Sequence, residues 1–409
     1  MSTRTRDIAA CVAGYAARLH AVIGDRHHVA SPLGAWLLLA LAGPASTGSD
    51  RVVLEEVLGC DVAAAARAAA GLLGNPHPAV ASAAAVWTAG GTPLGPQFAR
   101  WQDALPPEVT RGAVPDQATA NAWAREHTFG LIEDFPIGIT PAVFLVLATA
   151  LATKVSWQVP FDLVSAAELG TGSSWSQRLG QVLRVPDREP GGRPGHIQFI
   201  AATEEAGDVA VHVGSARDGL LVFSVAADPA VSAGRVLAAA HRIGCAHAIG
   251  ATVPRRSLAD LPLGPGAAWV LRDDQPAVGT DNCTAVLPAW QARSEHDLTH
   301  EDLGFEAAKN ALAGPIPWEA VQAAMARYTR LGFEAAAVTA LAVESALIAP
   351  TGQRVAELRF GHPYAVVAVT TEGQRMVSET GVRPGQWHGL PVFSAWVSEP
   401  ADAGDDGES

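Results

Sequence analysis

Residues that could do chemistry are sparse in this chain, and they do not fall at the spacings of known catalytic or metal sites. The two histidines of His296-Asp-Leu-Thr-His300 have the spacing of a zinc helix, but no third ligand is evident. We expect a polar surface helix there. His27 and His28 precede an apolar helix and are expected to be solvated. The sequence contains no GxSxG, no GxGxxG after a strand and no phosphate-binding loop, so it predicts no catalytic residue, metal or cofactor.

Composition and charge exclude several classes of partner. The chain carries 28 Lys and Arg against 41 Asp and Glu, a net charge of −13, and lacks the clustered positive charge that neutralises nucleic-acid or membrane phosphates. No signal peptide is visible at the N-terminus, and the longest apolar run, residues 141–153, is too short for a membrane span. We therefore expect a cytoplasmic protein that binds neither nucleic acid nor membrane.

The four cysteines are too few for a disulfide-stabilised scaffold. None forms a CxxC pair, and they are spread along 409 residues as Cys11, Cys60, Cys245 and Cys283. We expect buried free thiols in a reducing compartment. With 49% hydrophobic residues and abundant alanine, the chain has enough apolar surface for a large core.

The elements that must position a functional segment can be inferred from hydrophobic spacing. Apolar residues at helical intervals predict a helix over residues 6–22. Ser31 followed by Pro32 predicts the start of a second helix, which is apolar all round and should be buried. Residues 79–88 are predicted to form a strand. Residues 143–157 fit a long buried strand or a helix, and periodicity alone does not decide between them.

One segment near the C-terminus is unusual for a surface loop. Residues 333–348 contain neither Gly nor Pro over sixteen positions. As a strand, the segment has a largely apolar face that begins at Phe333 and continues through every second residue. The opposite face carries Glu334 and Glu344 near its ends. Helix propensity alone favours an alanine-rich helix, so a latent strand and an ordinary helix are both open from the residues alone.

Motifs spread along the chain resemble those of the serpins, the serine protease inhibitor family, in particular its bacterial members. The motifs follow the family's order from residue 30 to residue 400. In chain order they are Ala30-Ser-Pro-Leu33, Leu54-Glu-Glu-Val-Leu-Gly59, Asn121-Ala-Trp123 with Thr128-Phe-Gly130, Lys154-Val-Ser-Trp157-Gln-Val-Pro160-Phe161-Asp162, Leu287-Pro-Ala-Trp290, Gly332-Phe-Glu-Ala-Ala-Ala337, Phe360-Gly-His-Pro363 and Pro391-Val-Phe393.

The resemblance implies a serpin fold for residues 1–400. This is a single mixed α+β domain with three β-sheets, eight or nine helices and an exposed reactive-centre loop. It implies a strand for residues 143–157 and a latent strand for residues 333–348. The acidic tail, residues 401–409, is expected to be disordered because it lacks apolar anchors.

The resemblance also implies a mechanism that needs no catalytic residue in this chain. In inhibitory serpins the target protease cleaves the loop, which then inserts as an extra strand in the main sheet while the protease is trapped as an acyl-enzyme. All catalytic groups belong to the protease. The hinge that would insert first matches Gly332, Phe333, Glu334, Ala335, Ala336, Ala337, Val338 and Thr339.

Two regions are candidates for the cleaved bond. Counting forward from Gly332 at the family's usual spacing places the bond between Ala346 and Leu347, which suits a serine protease with a small or apolar specificity pocket. Counting backward from Phe360 places the bond after Gly352, six residues further on, and the nearby Arg354 would suit a trypsin-like enzyme. We favour the first region.

Two features depart from the family pattern near the sheet opening. Serpins usually carry Thr or Ser at the first inserted position, where this chain has Phe333, and overpacking a dense core costs about 1–3 kcal/mol. The family's polar cluster beneath the opening, two serines, an asparagine and a histidine, is matched by Ser31, Gly34, Thr149 and Gln322. We therefore expect a changed hydrogen-bond network there.

A twenty-residue insertion, residues 371–390, replaces a short turn of the family. Trp387 and His388 could form the lip of a ligand site in it. The alternative is a surface excursion without a ligand, which we favour.

Three functions are compatible with these residues. The leading hypothesis is an inhibitor of a serine protease, without a cofactor. The second is a non-inhibitory serpin-fold protein that binds a small molecule or a protein. The third is an enzyme with a pocket active site on the same fold, because a fold does not fix a function.

Overall fold

The computed structural model describes residues 3–89, 96–186, 195–274, 282–314, 319–333, 353–372 and 385–405. Its described helices are α1 (Thr3–Ile23), α2 (Pro32–Ala42), α3 (Gly48–Leu58), α4 (Val62–Gly74), α5 (Pro96–Ala104), α6 (Gln117–His127), α7 (Ala233–Ala248) and α8 (Phe305–Ala313).

The described strands are β1 (His28–Ala30), β2 (Ala81–Thr88), β3 (Val109–Ala113), β4 (Leu145–Ala152), β5 (Val155–Ser156), β6 (Asp162–Ser165), β7 (Gln181–Arg184), β8 (His196–Thr203), β9 (Gly207–Ser215), β10 (Leu220–Ala226), β11 (Gly264–Pro265), β12 (Trp269–Asp274), β13 (Asn282–Leu287), β14 (Trp290–Asp297), β15 (Val321–Tyr328), β16 (Gly332–Phe333), β17 (Gln353–Arg359), β18 (Tyr364–Thr370) and β19 (Pro391–Val397).

The strands form two six-stranded sheets and two smaller ones. The first large sheet has the order β1-β19-β18-β10-β9-β8, and the second has the order β11-β12-β17-β13-β7-β6. The smaller sheets have the orders β14-β15-β16-β5 and β3-β2-β4. Strands β4 and β5 follow each other almost directly in the chain, so the two smaller sheets adjoin at this point, and together they are called the central sheet below. The mixed α+β fold predicted from the sequence is confirmed.

Helix α2 lies at the centre of the core, as its composition predicts. The Ser31 hydroxyl caps the helix by accepting a hydrogen bond from the Gly34 backbone N–H at 3.2 Å, and proline occupies the first turn, where no N–H is needed. Ten of its eleven residues are buried. A helix that is apolar on every face has no side to offer to solvent, so the sheets and the other helices pack around it.

Strand β4 resolves the ambiguity over residues 143–157 in favour of a strand. It pairs antiparallel with β2 along its whole length, from Leu145 opposite Thr88 to Ala152 opposite Ala81. Its even-numbered residues are buried and its odd-numbered residues are half-buried. The buried face packs against a small aromatic cluster around Trp87. Pairing with a neighbouring strand is a tertiary interaction, which periodicity within one segment cannot reveal.

Two predictions about histidines are wrong. His296 belongs to strand β14 and not to a surface helix, and only 1% of it is exposed. Alternation along β14 places it on the same inward face as Trp290, and its Nε2 donates to the Val29 carbonyl at 2.7 Å. His300 lies beyond the end of the strand and is exposed. His28, expected in solvent, is fully buried in β1.

The prediction of a disordered tail is wrong for residues 401–405. The Asp402 carboxylate accepts hydrogen bonds from the backbone N–H groups of Gly180 and Gln181, which hold this segment against the start of β7. Disorder was expected because the segment has no apolar side chains to pack into the core. It is instead held by a carboxylate that accepts hydrogen bonds from backbone N–H groups. Residues 406–409 lie outside the described part of the chain.

The length and composition of the helices bear on whether any of them could span a membrane. Within the described residues, no single helix is long and apolar enough to cross a bilayer, whereas α3 and α4 taken together, with a bend of 56°, meet both criteria. Both helices bury part of their surface in the core.

Candidate functional site at the opening of the central sheet

The central sheet is divided by a cleft between β4 and β15. Among the described strands, β4 pairs only with β2, and β15 pairs only with β14 and β16. Both edges, residues 147–152 and 321–325, line a cavity of about 80 Å³ that reaches down to α2. A second cavity of about 420 Å³ continues between residues 142–147 and 319–321. Two strand edges thus face each other with their ladder groups directed into the cleft.

The first two residues of the predicted hinge already lie in this cleft as a strand. In β16, Gly332 pairs with Ser156 and Phe333 pairs with Val155 on one side. On the other side Phe333 pairs with Tyr328 of β15. This short strand joins the two halves of the sheet at one end of the cleft. The remaining predicted hinge residues, 334–339, lie outside the described part of the chain, as do Ala346 and Leu347.

A network of backbone hydrogen bonds fixes the turn that leads into β16. The backbone N–H groups of Trp157 and Phe161 donate to the carbonyls of Leu331 and Arg330, each at 3.0 Å. The Arg330 guanidinium donates in return to the Phe161 carbonyl at 3.0 Å. Thr329 closes the turn, with its backbone N–H donating to the Gly332 carbonyl at 3.0 Å. The point at which the loop enters the sheet is therefore held by residues 157–161.

Phe333 fits the interior without the overpacking that its size suggested. Only 3% of it is exposed, and its ring makes edge contacts with Trp290 and Tyr328 at centroid distances of 6.3 and 6.5 Å. Trp157 lies on the other side of Tyr328, at 4.9 Å. Serpins usually carry a small polar residue at this position. Here Phe333 takes its place and packs into an aromatic cluster formed by its neighbours.

The four residues predicted for the sheet-opening region lie together beneath the cleft. Gln322 of β15 binds the backbone of Ser31 twice: its Oε1 accepts from the N–H and its Nε2 donates to the carbonyl, both at 2.9 Å. Thr149 of β4 donates from its hydroxyl to the Gly34 carbonyl at 2.9 Å. Each edge of the cleft is thus tied to the start of α2 by its own hydrogen bonds. Their role in opening the sheet stays a prediction.

Gly34 lies where a side chain would meet tight packing. A Cβ atom there would stand 3.2 Å from the Ser31 hydroxyl oxygen and 3.5 Å from a methyl of Leu151. A Cβ at this position would therefore crowd the N-cap hydroxyl of α2, which would have to shift by a few tenths of an ångström.

Arg354, the alternative position for cleavage, is part of the second large sheet. It lies in β17 and pairs with Asp273 of β12. Its guanidinium donates to the carbonyls of Leu258, Ala259 and Leu261, at 2.7, 3.0 and 3.0 Å. A protease cleaves a bond that is presented in an extended, accessible loop, whereas Arg354 is paired within a sheet. The position of the cleaved bond stays a prediction.

The possible ligand lip and the favoured surface excursion both place Trp387 at the surface, but its side chain is buried. The indole is 2% exposed, and its Nε1 donates to the Asn75 carbonyl at 2.7 Å. His388 is half-buried and its Nδ1 accepts from the backbone N–H of Glu372 at 3.1 Å. Trp387 therefore fastens the end of the insertion to α4. The sequence does not indicate this contact, because Asn75 and Trp387 are 312 residues apart. Residues 373–384 lie outside the described part of the chain.

Sequence reasoning missed a set of buried histidines. Seven of the thirteen histidines are buried: His20, His28, His77, His196, His212, His241 and His296. Burial lowers the pKa of His28, His196 and His241 to about 4 in each case. Only His212 gave a signal in the sequence, because it stands between two apolar residues of a strand, in Val211-His212-Val213. Among the described residues, no group of three or more side chains is arranged to bind a metal ion.

Comparisons with known proteins agree with this geometry. No protein-family model and no curated protein sequence matches the chain. Its structure, however, matches the native state of Tengpin, a thermophilic serpin, with a TM-score of 0.63 over 98% of this chain and 95% of that one, at 13% identity. The chain has the serpin fold.

Two further serpin structures match over comparable lengths. Serpin48 from the insect Tenebrio molitor, described as highly specific, has a TM-score of 0.60 and 14% identity and covers 98% of this chain and all of that one. Human thyroxine-binding globulin in complex with thyroxine has a TM-score of 0.62 and 14% identity, over 98% of this chain and 100% of that one. The serpin fold therefore accounts for nearly the whole chain, whereas these identities leave its function open.

Proposed function

We propose that this chain inhibits a serine protease by taking up its own cleaved loop as a new strand between β4 and β15. One observation carries the proposal. Gly332 and Phe333, the first residues of the loop, are already paired with strands on both sides at one end of a cleft that divides the central sheet. Insertion of the following residues would continue the strand pairing of β16, so the first pairing step would not have to be made anew.

The register of this short strand specifies where the following residues would go. If both ladders continue without a bulge, Thr339 would arrive opposite Thr149 of β4 and opposite Gln322 of β15. These two residues belong to the polar cluster that ties the cleft to α2. A hydroxyl at this position of the inserted strand would meet polar side chains on both sides, which supports the assignment of residues 334–339 as the hinge.

The free energy for insertion would come from strand pairing and apolar burial. A strand placed between β4 and β15 would satisfy backbone groups on both edges, and each hydrogen bond contributes about 1 kcal/mol net. The half-buried odd-numbered residues of β4, Leu145, Leu147 and Leu151, would be covered as well. The unfilled cleft is therefore a store of conformational free energy that cleavage of the loop would release.

The target would be a serine protease with a small or apolar specificity pocket. Ala346 and Leu347 stand at the spacing expected from Gly332, and the alternative, Arg354, is fixed within a sheet. We expect elastase-like or subtilisin-like enzymes to form the complex more readily than trypsin.

The test is incubation with elastase, subtilisin and trypsin, followed by a denaturing gel. The proposal predicts a covalent complex of protein and protease that survives denaturation. An Ala337→Arg variant should still be cleaved but should form no complex, because residue 337 shares the inward face of Phe333 and a charge there would have to be buried. Ala336→Arg is the matched control, since its face also carries Glu334 and Glu344. Cleavage of the unmodified chain by all three proteases without any complex would refute the proposal.

A second candidate function, binding of a small apolar molecule, is favoured by the larger cavity. Its volume of about 420 Å³ lies in the range of ligand pockets, and it is lined mainly by apolar side chains such as Leu38, Val143 and Phe305. The similarity to thyroxine-binding globulin gives further support. A fluorescent apolar probe should then bind the intact protein and be displaced by excess apolar ligand, and no protease complex should form.

A further inference from the structure

The larger cavity beside the cleft is enclosed by two helices and two strand edges. One face of α8 lines it at helical spacing. The buried members of this face are Phe305, Ala308 and Leu312. Helix α2 contributes three further apolar residues, and residues 142–147 and 319–321 form the remaining sides. The volume of about 420 Å³ lies within the range of about 300–1,000 Å³ that is usual for small-molecule sites.

Leu38 is directed at this cavity from the centre of the fold. Helix α2 is apolar on every face, and ten of its eleven residues are buried. The exception is Leu38, which is half-buried and lines both the larger and the smaller cavity. The incomplete burial of this side chain therefore reflects the cavity and not an outer surface of the protein. An apolar molecule that covered Leu38 would gain hydrophobic free energy in the same way as a protein side chain.

The polar side chains of the cavity carry charges of opposite sign. Among the described residues of the lining, they are Thr140, Lys309 and Glu319. Thr140 and Glu319 are exposed and Lys309 is half-buried, so they lie towards the solvent side of the cavity. The ammonium and the carboxylate favour neither an anion nor a cation, whereas a hydroxyl group can both donate and accept hydrogen bonds. The lining thus matches a neutral molecule with an apolar body and one polar end.

The cavity lies on the path that the cleaved loop would follow. If the ladders that begin at Phe333 continue without a bulge, residues 341 and 343 come opposite Leu147 and Leu145 of β4, which line the cavity. Because side chains alternate along a strand, Leu341 and Val343 share the inward face of Phe333. The two apolar side chains of the inserted strand would therefore take up the space of the cavity.

We propose that this cavity binds a neutral, mainly apolar small molecule, and that the ligand and the inserted loop exclude one another. With the ligand bound, insertion from β16 would stop near residue 339, because the same space cannot hold two sets of atoms. A protease would then cut the loop and dissociate, so the liganded protein would be a substrate and the unliganded protein an inhibitor. The exclusion rests on the proposed function, whereas the binding site does not.

Displacement of Nile red, a neutral fluorescent probe, tests the site without any protease. The intact protein should bind the probe. 1-Decanol should displace it about tenfold more effectively than decanoate or decylammonium, which have the same chain length and a charge. Ala308→Phe fills the cavity from α8 and should abolish binding. Ala311→Phe is the matched control, because it makes the same change at a half-buried position of α8 that does not line the cavity.

Two results would overturn the proposed site. The first is unchanged binding of Nile red in Ala308→Phe. The second is equal or stronger displacement by either charged compound, which would show that the ligand is not of the neutral class.

Cleavage of the loop by elastase tests the exclusion and covers the case in which Ala308→Phe does not fold. The cleaved protein should bind Nile red at least tenfold more weakly, while its unfolding temperature rises. In the reverse direction, 1-decanol at ten times its Kd should lower the ratio of covalent complex to cleaved protein about tenfold, because only about a tenth of the protein then lacks the ligand.

The unfolding temperature separates failure of the exclusion from failure of the proposed function. Undiminished binding of Nile red to a cleaved form whose unfolding temperature has risen would overturn the exclusion. Undiminished binding to a cleaved form whose unfolding temperature has not risen, with no covalent complex, would show instead that the loop does not insert. The proposed inhibitory function then fails, and the displacement experiment alone decides the site.

Discussion

The indole nitrogen of Trp157 donates a hydrogen bond to the carbonyl of Thr329 at 3.0 Å. This contact joins the residue directly after β5 to the turn that precedes β16, across 172 residues of sequence. The Trp157 side chain is buried and Thr329 is half-buried, so this hydrogen bond is partly shielded from water.

Replacing Trp157 by Phe should lower stability and disturb the loop entry. The Thr329 carbonyl would lose its donor at a half-buried site, which should cost about 0.5–1.5 kcal/mol in the free energy of unfolding measured with urea. The fraction of protein that forms a protease complex, rather than being cleaved as a substrate, should fall as well. Trp36→Phe is the matched control, because it also removes an indole hydrogen bond to a backbone carbonyl, that of Leu58, far from the loop. An equal effect of both variants on the complex would contradict this account.

Replacing Gln322 by Ala should weaken the closed cleft. It removes both hydrogen bonds to the Ser31 backbone and leaves a buried N–H and C=O without their partners. We expect a loss of about 2–4 kcal/mol in the free energy of unfolding, taking about 1–2 kcal/mol for each bond. Gln291→Ala, on the exposed face of the neighbouring strand β14, should change it by less than about 0.5 kcal/mol. Similar values for the two variants would show that Gln322 does not hold the cleft.

Stability should fall as the pH drops from about 6.5 towards 4. His28, His196 and His241 have a folded-state pKa of about 4, so they stay neutral in the folded protein while the unfolded chain binds a proton at each below its ordinary pKa. Near pH 5 each contributes a loss of about 1.4 kcal/mol per pH unit. Urea unfolding from pH 7.5 to 5 should show this slope, and His241→Gln should reduce it by about that amount. An unchanged slope in the variant would show that His241 is protonated in the folded protein.

Trp387 should behave as a core residue. Truncation to Ala should cost about 3–5 kcal/mol in urea unfolding, because it leaves a cavity and removes the donor to Asn75. Trp387→Phe fills most of the space and should cost about 1–3 kcal/mol. A ligand-binding lip would give the reverse pattern, with binding of an apolar probe lost and stability nearly unchanged.

The sequence reveals those features of the fold that depend on local pattern. Ser31 and Pro32 mark the start of α2, and the colinear motifs identify the fold. The four residues of the opening cluster are also found from their motif positions, although their hydrogen bonds are not. Gln322 binds a backbone 291 residues away.

What the sequence could not reveal depends on partners distant in the chain. Trp387 was misjudged because an aromatic residue in a turn-rich segment is expected at the surface until its neighbours are known, and His212 was overlooked because a histidine is usually expected to be polar surface. Phe333 was judged by its size alone, and the aromatic cluster of Tyr328 and Trp290 that accommodates it is formed only by tertiary packing.

The most direct test of the inserted-strand account is the thermal unfolding of the protein before and after cleavage of its loop. Limited elastase digestion should cut between residues 334 and 352, and calorimetry should compare the two forms under the same conditions. About ten new ladder hydrogen bonds, at about 1 kcal/mol each, should raise the unfolding temperature on the order of 10–20 °C. An unfolding temperature that stays the same or falls after cleavage would show that the cleft between β4 and β15 does not receive the loop.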